Sequence, residues 1–462
     1  MESRVSEKDL GGLAEAMDGT LTLPGDDGWD LARQAWNLSA DQHPAAVATP
    51  ADADDVRAVV DFARENGMRV APQGTGHGAT TLGDLGGSIL LKTTRMNGVE
   101  VDPQTRRARA LSGALSEDAM AAGAEHGLAG LCGSSPDVGL VGYSLGGGIG
   151  WLGRKHGLQG NAVRAVELVT SGGELVRADA ENETDLFWAL RGGGGGDFGV
   201  VTALEFEMVP LTVAYAGNLA WPWEQSEEVL KRWAEWALDA PEEITTSARI
   251  LQFPPIPDVP EELRGRQLVM IDGAHCGAED DAVEALAPLR ELRPEIDTWE
   301  TIGAPGLVHV HGDPEQPVPG VSDHRLMSEV NDNTIEALVE VAGPGSGSPL
   351  LFVELRQFGG AFARAPEDGG GARAAFEEPF LFFAIALGMT PEMGEAGEAH
   401  ATKTCEALGP WAAQRCYLNF RERHSDTAEG FSEEDYARLG EVKAAVDPER
   451  LFQSNHEIAP AA

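Results

Sequence analysis

Between residues 54 and 66, apolar side chains recur at Val56, Val59, Val60 and Ala63, the i, i+3, i+4, i+7 spacing of one helical face. Gly67 ends the run, so the spacing predicts an amphipathic helix over 54–66. A short strand over 68–71 then feeds the turn Pro72-Gln73-Gly74-Thr75-Gly76-His77-Gly78, and strands are predicted over 89–92 and 107–111. Ser116, followed by Glu117 and Asp118, reads as an N-cap with acidic groups on the favourable end of a helix running to about 126. From 127 to 160 glycine recurs too densely for long regular elements, which suggests a loop wrapped around something flat or anionic. Runs over 164–170 and 174–178 flank Ser171-Gly172-Gly173 as a hairpin. A helix over 185–190, five consecutive glycines from Gly192 and a strand over 200–208 close a first α+β unit.

Past Pro210 the texture changes. Helices are predicted over 226–238, 280–292, 333–341 and 395–408, and strands over 246–253, 267–272, 350–358 and 380–387. Pro288 should kink or break the second of these helices. Strands separated by long helical stretches fit an antiparallel sheet backed by helices. The proline-rich segments 254–260 and 313–319 read as surface connections, 416–420 as a strand and 432–446 as a helix.

A length of 462 residues suggests two or three compact units. The 42% hydrophobic and 24% charged content excludes a fibrous or wholly disordered chain. With 34 basic against 75 acidic residues the net charge is −41, which argues against a nucleic-acid partner and reads as a solubilising surface. Four cysteines without a C-x-x-C suggest buried thiols. The opening MESRVSEKDLGGL lacks a secretory apolar core, and no run approaches ~20 apolar residues, so the expectation is a cytoplasmic protein without a membrane partner.

Several motifs compete. Gly148, Gly150 and Gly153 spell G-x-G-x-x-G with Glu167 further on, but the helix such a fingerprint needs would be broken by Gly153, Gly157 and Gly160. Gly142-Tyr143-Ser144-Leu145-Gly146 matches a hydrolase elbow, yet more glycines follow where a helix is required. The turn through Gly74, Gly76 and Gly78 lets backbone N–H groups converge on a phosphate. A metal site can be drawn through His309, His311, Asp323 and His324, but the tight ligand spacing of zinc sites is missing, so these read as surface histidines.

Taken together, residues 72–78, Pro136-Asp137-Val138-Gly139, the glycines from Gly146 to Gly150 and Gly196-Asp197-Phe198-Gly199-Val200 occur in an order that resembles the FAD-linked oxidoreductases of the vanillyl-alcohol oxidase and p-cresol methylhydroxylase (PCMH) type. Trp36-Asn37, Arg154-Lys155-His156, Glu354-Leu355-Arg356 and the terminal Tyr417-Leu418-Asn419-Phe420 extend the likeness, the last toward berberine bridge enzyme-like members. The resemblance implies an α+β two-domain flavoprotein: a PCMH-type FAD-binding domain over 1–210 (core about 36–210), a substrate domain over 211–414 with an antiparallel sheet backed by helices, and a segment over 415–462 returning to the FAD domain. It implies FAD joined through His77 to the 8α-methyl of the ring. A second, cysteinyl bond is not expected, because its position holds Ser135 and Cys132 lies three residues earlier.

Cofactor contacts are expected from Gln73, Gly74, Thr75, Gly76, His77, Gly78, Ser135, Asp137, Val138, Gly139, Gly142, Tyr143, Gly146, Gly147, Gly148, Gly150, Trp151, Asn161, Gly199, Val200 and Asn419. Tyr417 is the expected base, with Arg356 supplying positive charge to lower its phenol and His156 contacting base or flavin. Val138, being small, leaves room for oxygen. The implied reaction is oxidation of the CH–OH of a sugar-like or secondary-metabolite alcohol by hydride transfer to flavin N5, with oxygen reduced to hydrogen peroxide. The alternatives are a dehydrogenase using another acceptor and a non-catalytic flavin-binding protein.

Overall fold

Phe380, Phe382, Ala384 and Ala386 alternate with Leu381, Phe383, Ile385 and Leu387 along the strand Phe380–Leu387, and the two sets meet different surroundings. Side chains on a strand point to opposite faces with period two. The first set packs against four helices, Ser226–Asp239, Glu279–Arg290, Asp332–Ala342 and Pro391–Ala407, through residues such as Trp233, Leu286, Leu338 and Ala401. Of the second, Leu381 packs with Phe358 and Tyr417, and Phe383, Ile385 and Leu387 face a cleft. The computed structural model describes residues 7–257 and 259–461 of the chain.

This strand belongs to an eight-stranded antiparallel sheet. Its main path runs Ile296–Asp297, Val213–Pro222, Gln267–His275, Ile244–Gln252, Phe352–Gln357, Phe380–Leu387 and Gly320–Met327, and Glu300–Gly303 pairs with Val213–Pro222. Across the cleft lie two smaller sheets. One has four strands, in the order Thr20–Thr22, Ala46–Thr49, Ser88–Lys92, Arg69–Gln73, the last three parallel. Helix Ala53–Glu65 covers it with Val56, Val59, Val60 and Ala63, capped by the Asp52 carboxylate. The other has five antiparallel strands centred on Val200–Glu207. Among the described residues no helix is long and apolar enough to cross a membrane.

The chain end completes the first of these sheets. Val70 N–H donates to the Leu451 carbonyl (2.9 Å) and Gln453 N–H to the Val70 carbonyl (2.8 Å), adding the terminal segment at its edge. Helix Glu433–Val446 holds that segment in place: buried Lys443 bridges the Asp447 carboxylate (2.6 Å) and the Asp197 carbonyl (2.5 Å). Asp447 also receives the Leu451 and Phe452 N–H groups. Lys443→Met leaves a buried carboxylate without its cation, and we expect a loss of about 3–5 kcal/mol in denaturant unfolding; an unchanged midpoint would mean that the N–H donors alone carry Asp447.

Three expectations need correction. Helix Glu279–Arg290 runs through Pro288, which lies in its last turn, where the missing N–H removes one bond and little else. The strand expected over 416–420 is an irregular segment ending in the 3-10 turn Leu418–Phe420. Gly320–Met327 is a buried strand, so Asp323 and His324 are interior residues; His311, in the connection leading to it, is buried too.

Candidate active site

Strand Arg69–Gln73 ends in the turn that carries His77, and Trp36 and Asn37 pin this turn by donating to the Thr75 and Gly76 carbonyls (3.0 and 3.3 Å). Gly76 has a positive φ of 89°, and a Cβ there would come within 3.1 Å of the Ala35 backbone, so the residue must be glycine. The imidazole of His77 stacks on Trp36 with ring centroids 4.0 Å apart. Its Nδ1 lies 2.7 Å from Thr75 Oγ1, while Nε2 is buried without a hydrogen-bond partner, 3.7 Å from Asp137. Burial works against ionisation of Asp137. The His77 imidazole beside it, with hydrogen bonds from Trp36 and Ser135, nevertheless holds its carboxyl below the usual range.

The turn lines one side of a cleft of about 400 Å³ between the two smaller sheets and the large one. Gln73, Gly74, Thr75, Gly76, His77, Gly78, Ser135, Val138, Gly139, Gly142, Tyr143, Gly199, Val200, Asn419, Tyr417 and Arg356 all line it. The glycines from Gly146 to Gly150 do not. A Cβ at Gly146 would stand 1.7 Å from Asn419 Oδ1, and one at Gly150 1.9 Å from the Cys132 carbonyl. Gly147 lies against Arg373 and Tyr417, and Gly148 against Tyr143. Gly146 and Gly147 thus seat the C-terminal segment, while Gly148 and Gly150 let Tyr143 and the Cys132 backbone close in.

Tyr417 is buried, and its hydroxyl oxygen accepts from the Gly148 N–H (2.9 Å) and the Asn419 amide (3.0 Å). Burial pushes the phenol up to about 12, against the Gly148 N–H, Arg373, Asn419 and Arg356, which pull it down. The lowered phenol expected from the sequence is therefore not found: the nearby donors and charges do not offset desolvation.

Arg356 reaches the cleft from strand Phe352–Gln357. Its Nε is 2.8 Å from Glu354, and its Nη2 is 3.3 Å from both Ser134 Oγ and His311 Nε2. Behind it, His311 Nδ1 lies 2.5 Å from Asp272, which Arg249 also bridges at 2.7 Å. Burial would raise Asp272, but Arg249 and His311 bring it down to about 2.

His156 does not join this group. It stands exposed at the end of the short helix Gly153–His156, whose buried Arg154 turns inward instead and donates to the Phe358 and Ala240 carbonyls. Asn161 donates to the Ala374 carbonyl (2.8 Å), and Trp151 packs against His311; neither lines the cleft. Cys132 directs its thiol at the Ser116 carbonyl (3.5 Å) and is pushed up to about 12 by burial, so it presents no thiolate to the cleft. Cleft residues not foreseen include Ser134, His311, Asp313, Glu422, Asn455 and the Gly194 to Asp197 stretch. The run of five glycines was the one visible signal for them. Burial pushes both Asp197 and Glu422 up to about 7.

The residues present fit FAD. Among the described residues the five backbone N–H groups of 74–78 donate to no protein acceptor, which leaves a run of donors for a pyrophosphate. Cβ atoms at Gly74 and Gly142, both lining the cleft, would meet nothing within 4 Å, so the missing side chains leave open space. The orphaned Nε2 of His77 lies in the same wall.

The family described as FAD binding domain matches residues 44–179, and the family described as Berberine and berberine like matches 416–459. The chain is 29% identical to the (R)-6-hydroxynicotine oxidase of Paenarthrobacter nicotinovorans, over 96% of this chain and 97% of that protein. The crystal structure of 6-hydroxy-D-nicotine oxidase from Arthrobacter nicotinovorans superposes with a TM-score of 0.83 at 25% identity, covering 96% and 98% of the two chains. A glucooligosaccharide oxidase from Acremonium strictum, described with a 6-S-cysteinyl, 8α-N1-histidyl FAD, shares the fold with a TM-score of 0.84 at 22% identity over 98% and 99%.

Proposed function

We propose that this chain, which belongs to the FAD-linked oxidoreductases of berberine bridge enzyme-like type, oxidises the CH–OH group of a sugar-like or secondary-metabolite alcohol and passes the electrons to oxygen. The observation that carries the reading is the meeting of His77, Arg356 and Tyr417, from three distant parts of the chain, in one cleft. The bound isoalloxazine supplies the hydride acceptor. The remaining work falls on side chains and backbone.

His77 tethers the ring edge, and the N–H groups of 74–78 hold the pyrophosphate. The carbinol loses a hydride from carbon and a proton from oxygen; oxygen takes up two electrons and two protons as hydrogen peroxide. Tyr417 receives the carbinol proton. It does so as the phenolate, whose charge the two N–H bonds to its oxygen favour before the transfer and which is neutralised by it. Val138 leaves space for oxygen beside the ring, and Arg356 orients the alcohol oxygen.

A phenol pushed up to about 12 is almost wholly protonated at neutral pH. Below that value its ionised fraction rises about tenfold per pH unit. We expect the anaerobic rate of flavin reduction to climb with pH from about 7 to about 10 without levelling; a flat profile in stopped-flow measurements would count against Tyr417 as the base. Oxygen uptake with an alcohol panel tests the reaction itself. Peroxide formed in step with substrate supports an oxidase. Reduced enzyme that ignores oxygen but passes electrons to a quinone would replace it by a dehydrogenase, and a flavin that no alcohol reduces would remove the catalytic reading.

A further inference from the structure

The cleft is chemically divided. On the large sheet, Phe352, Phe383, Ile385 and Leu387 project from adjacent strands, Phe352 directly opposite Ile385, and Phe420 meets Phe383 edge-on with centroids 5.2 Å apart. Phe383, Ile385, Leu387 and Phe420 remain only half-buried, whereas the alternating Phe382, Ala384 and Ala386 are fully covered. A contiguous apolar surface is thus left open inside the cleft. In the next strand Ser322, opposite Ile385, is already engaged by Glu422 at 2.7 Å.

The other pole is Arg356, the one Lys or Arg side chain among the described residues lining the cleft. A guanidinium can only donate, so His311 Nε2 accepts from it and the His311 proton sits on Nδ1, directed at Asp272. That chain fixes Arg356 through Nε and Nη2, and among the described residues Nη1 makes no hydrogen bond. One fixed donor is available here for an oxygen, with Tyr417 in the same cleft.

We infer that the substrate is an apolar-bodied alcohol, aromatic or alicyclic, with its oxygen at one end, and not an oligosaccharide; this rests on the oxidative reading above. Its body covers the phenylalanine and leucine wall, and its oxygen meets Arg356 and Tyr417. On this wall, a ring carrying several hydroxyls would have to strip them of water against Phe352, Phe383, Ile385 and Leu387, which return no hydrogen bond, the polar residues of the cleft lying off it, whereas an apolar body gains by the same transfer.

The test is titration of FAD-loaded protein with 2-naphthalenemethanol and with cellobiose, read from the perturbation of the bound-flavin absorption band under anaerobic conditions. Naphthalenemethanol should saturate at least about tenfold below cellobiose. Ile385→Asp should weaken it about tenfold or more while leaving acid-stable flavin content unchanged. Leu387→Gln, at the end of the same wall, should act in the same direction and keeps the test open if Ile385→Asp does not fold. Cellobiose binding as tightly as naphthalenemethanol, or wall variants with unaltered naphthalenemethanol affinity, would overturn the inference. If no alcohol reduces the flavin yet the wall variants weaken binding as stated, the oxidation reading fails and the wall assignment stands.

Discussion

Protein carrying His77→Ala should release all its yellow colour into the supernatant on acid precipitation, while the unsubstituted protein carries the colour into the pellet. The reason is local. His77 Nε2 is buried and unbonded, the ring is clamped between Trp36 and the Thr75 hydroxyl, and the Asp137 carboxylate stands 3.7 Å from Nε2. Among the described residues the other candidates for a covalent bond are not so placed: Cys132 points away and Ser135 donates to Asp137. The donors of 74–78 remain in the variant, so native protein should still bind FAD non-covalently, and flavin fluorescence on a denaturing gel separates the two kinds of attachment. Colour retained by His77→Ala would require another attachment point, and colour lost from the unsubstituted protein would make His77 a simple contact.

The second large effect is on rate. Tyr417→Phe should slow anaerobic flavin reduction about 10²- to 10⁴-fold per bound flavin, with FAD content retained. Removing the hydroxyl also strands the Gly148 N–H and the Asn419 amide, so a stability loss of about 1–3 kcal/mol should accompany it. Measuring rate per flavin separates that loss from the chemistry. Equal reduction rates in the two proteins would remove Tyr417 as the base.

Much of the fold could be read from local pattern because its elements are locally consistent. The helix Ala53–Glu65 declares its face by i, i+3, i+4 spacing, whereas Phe380–Leu387, apolar at every position, reads as a strand without saying which face is which. The role of His77 was expected through the resemblance, since a histidine among closely spaced glycines, taken alone, reads as readily as a loop residue. The Tyr417 environment was legible only in part, since burial is a property of what packs around the phenol and not of its neighbours in sequence. His311 shows the limit most clearly. Beside His309 it reads as one of two alternating surface histidines, yet His309 is exposed while His311 turns inward onto Asp272, thirty-nine positions earlier. No local signal encodes such a partner. His156 and Asn161 misled for the converse reason: their motif positions resemble ligand-contacting ones, but short helices turn them outward or onto the Ala374 carbonyl.

The hydrogen bonds joining Val70 to Leu451 and Gln453 make the sheet that carries the His77 turn dependent on residues distant from it in sequence. Lys443 locks that closure against Asp197. A protease nick between the two parts would therefore be felt at the histidine, because the edge on which its turn rests would lose its partner.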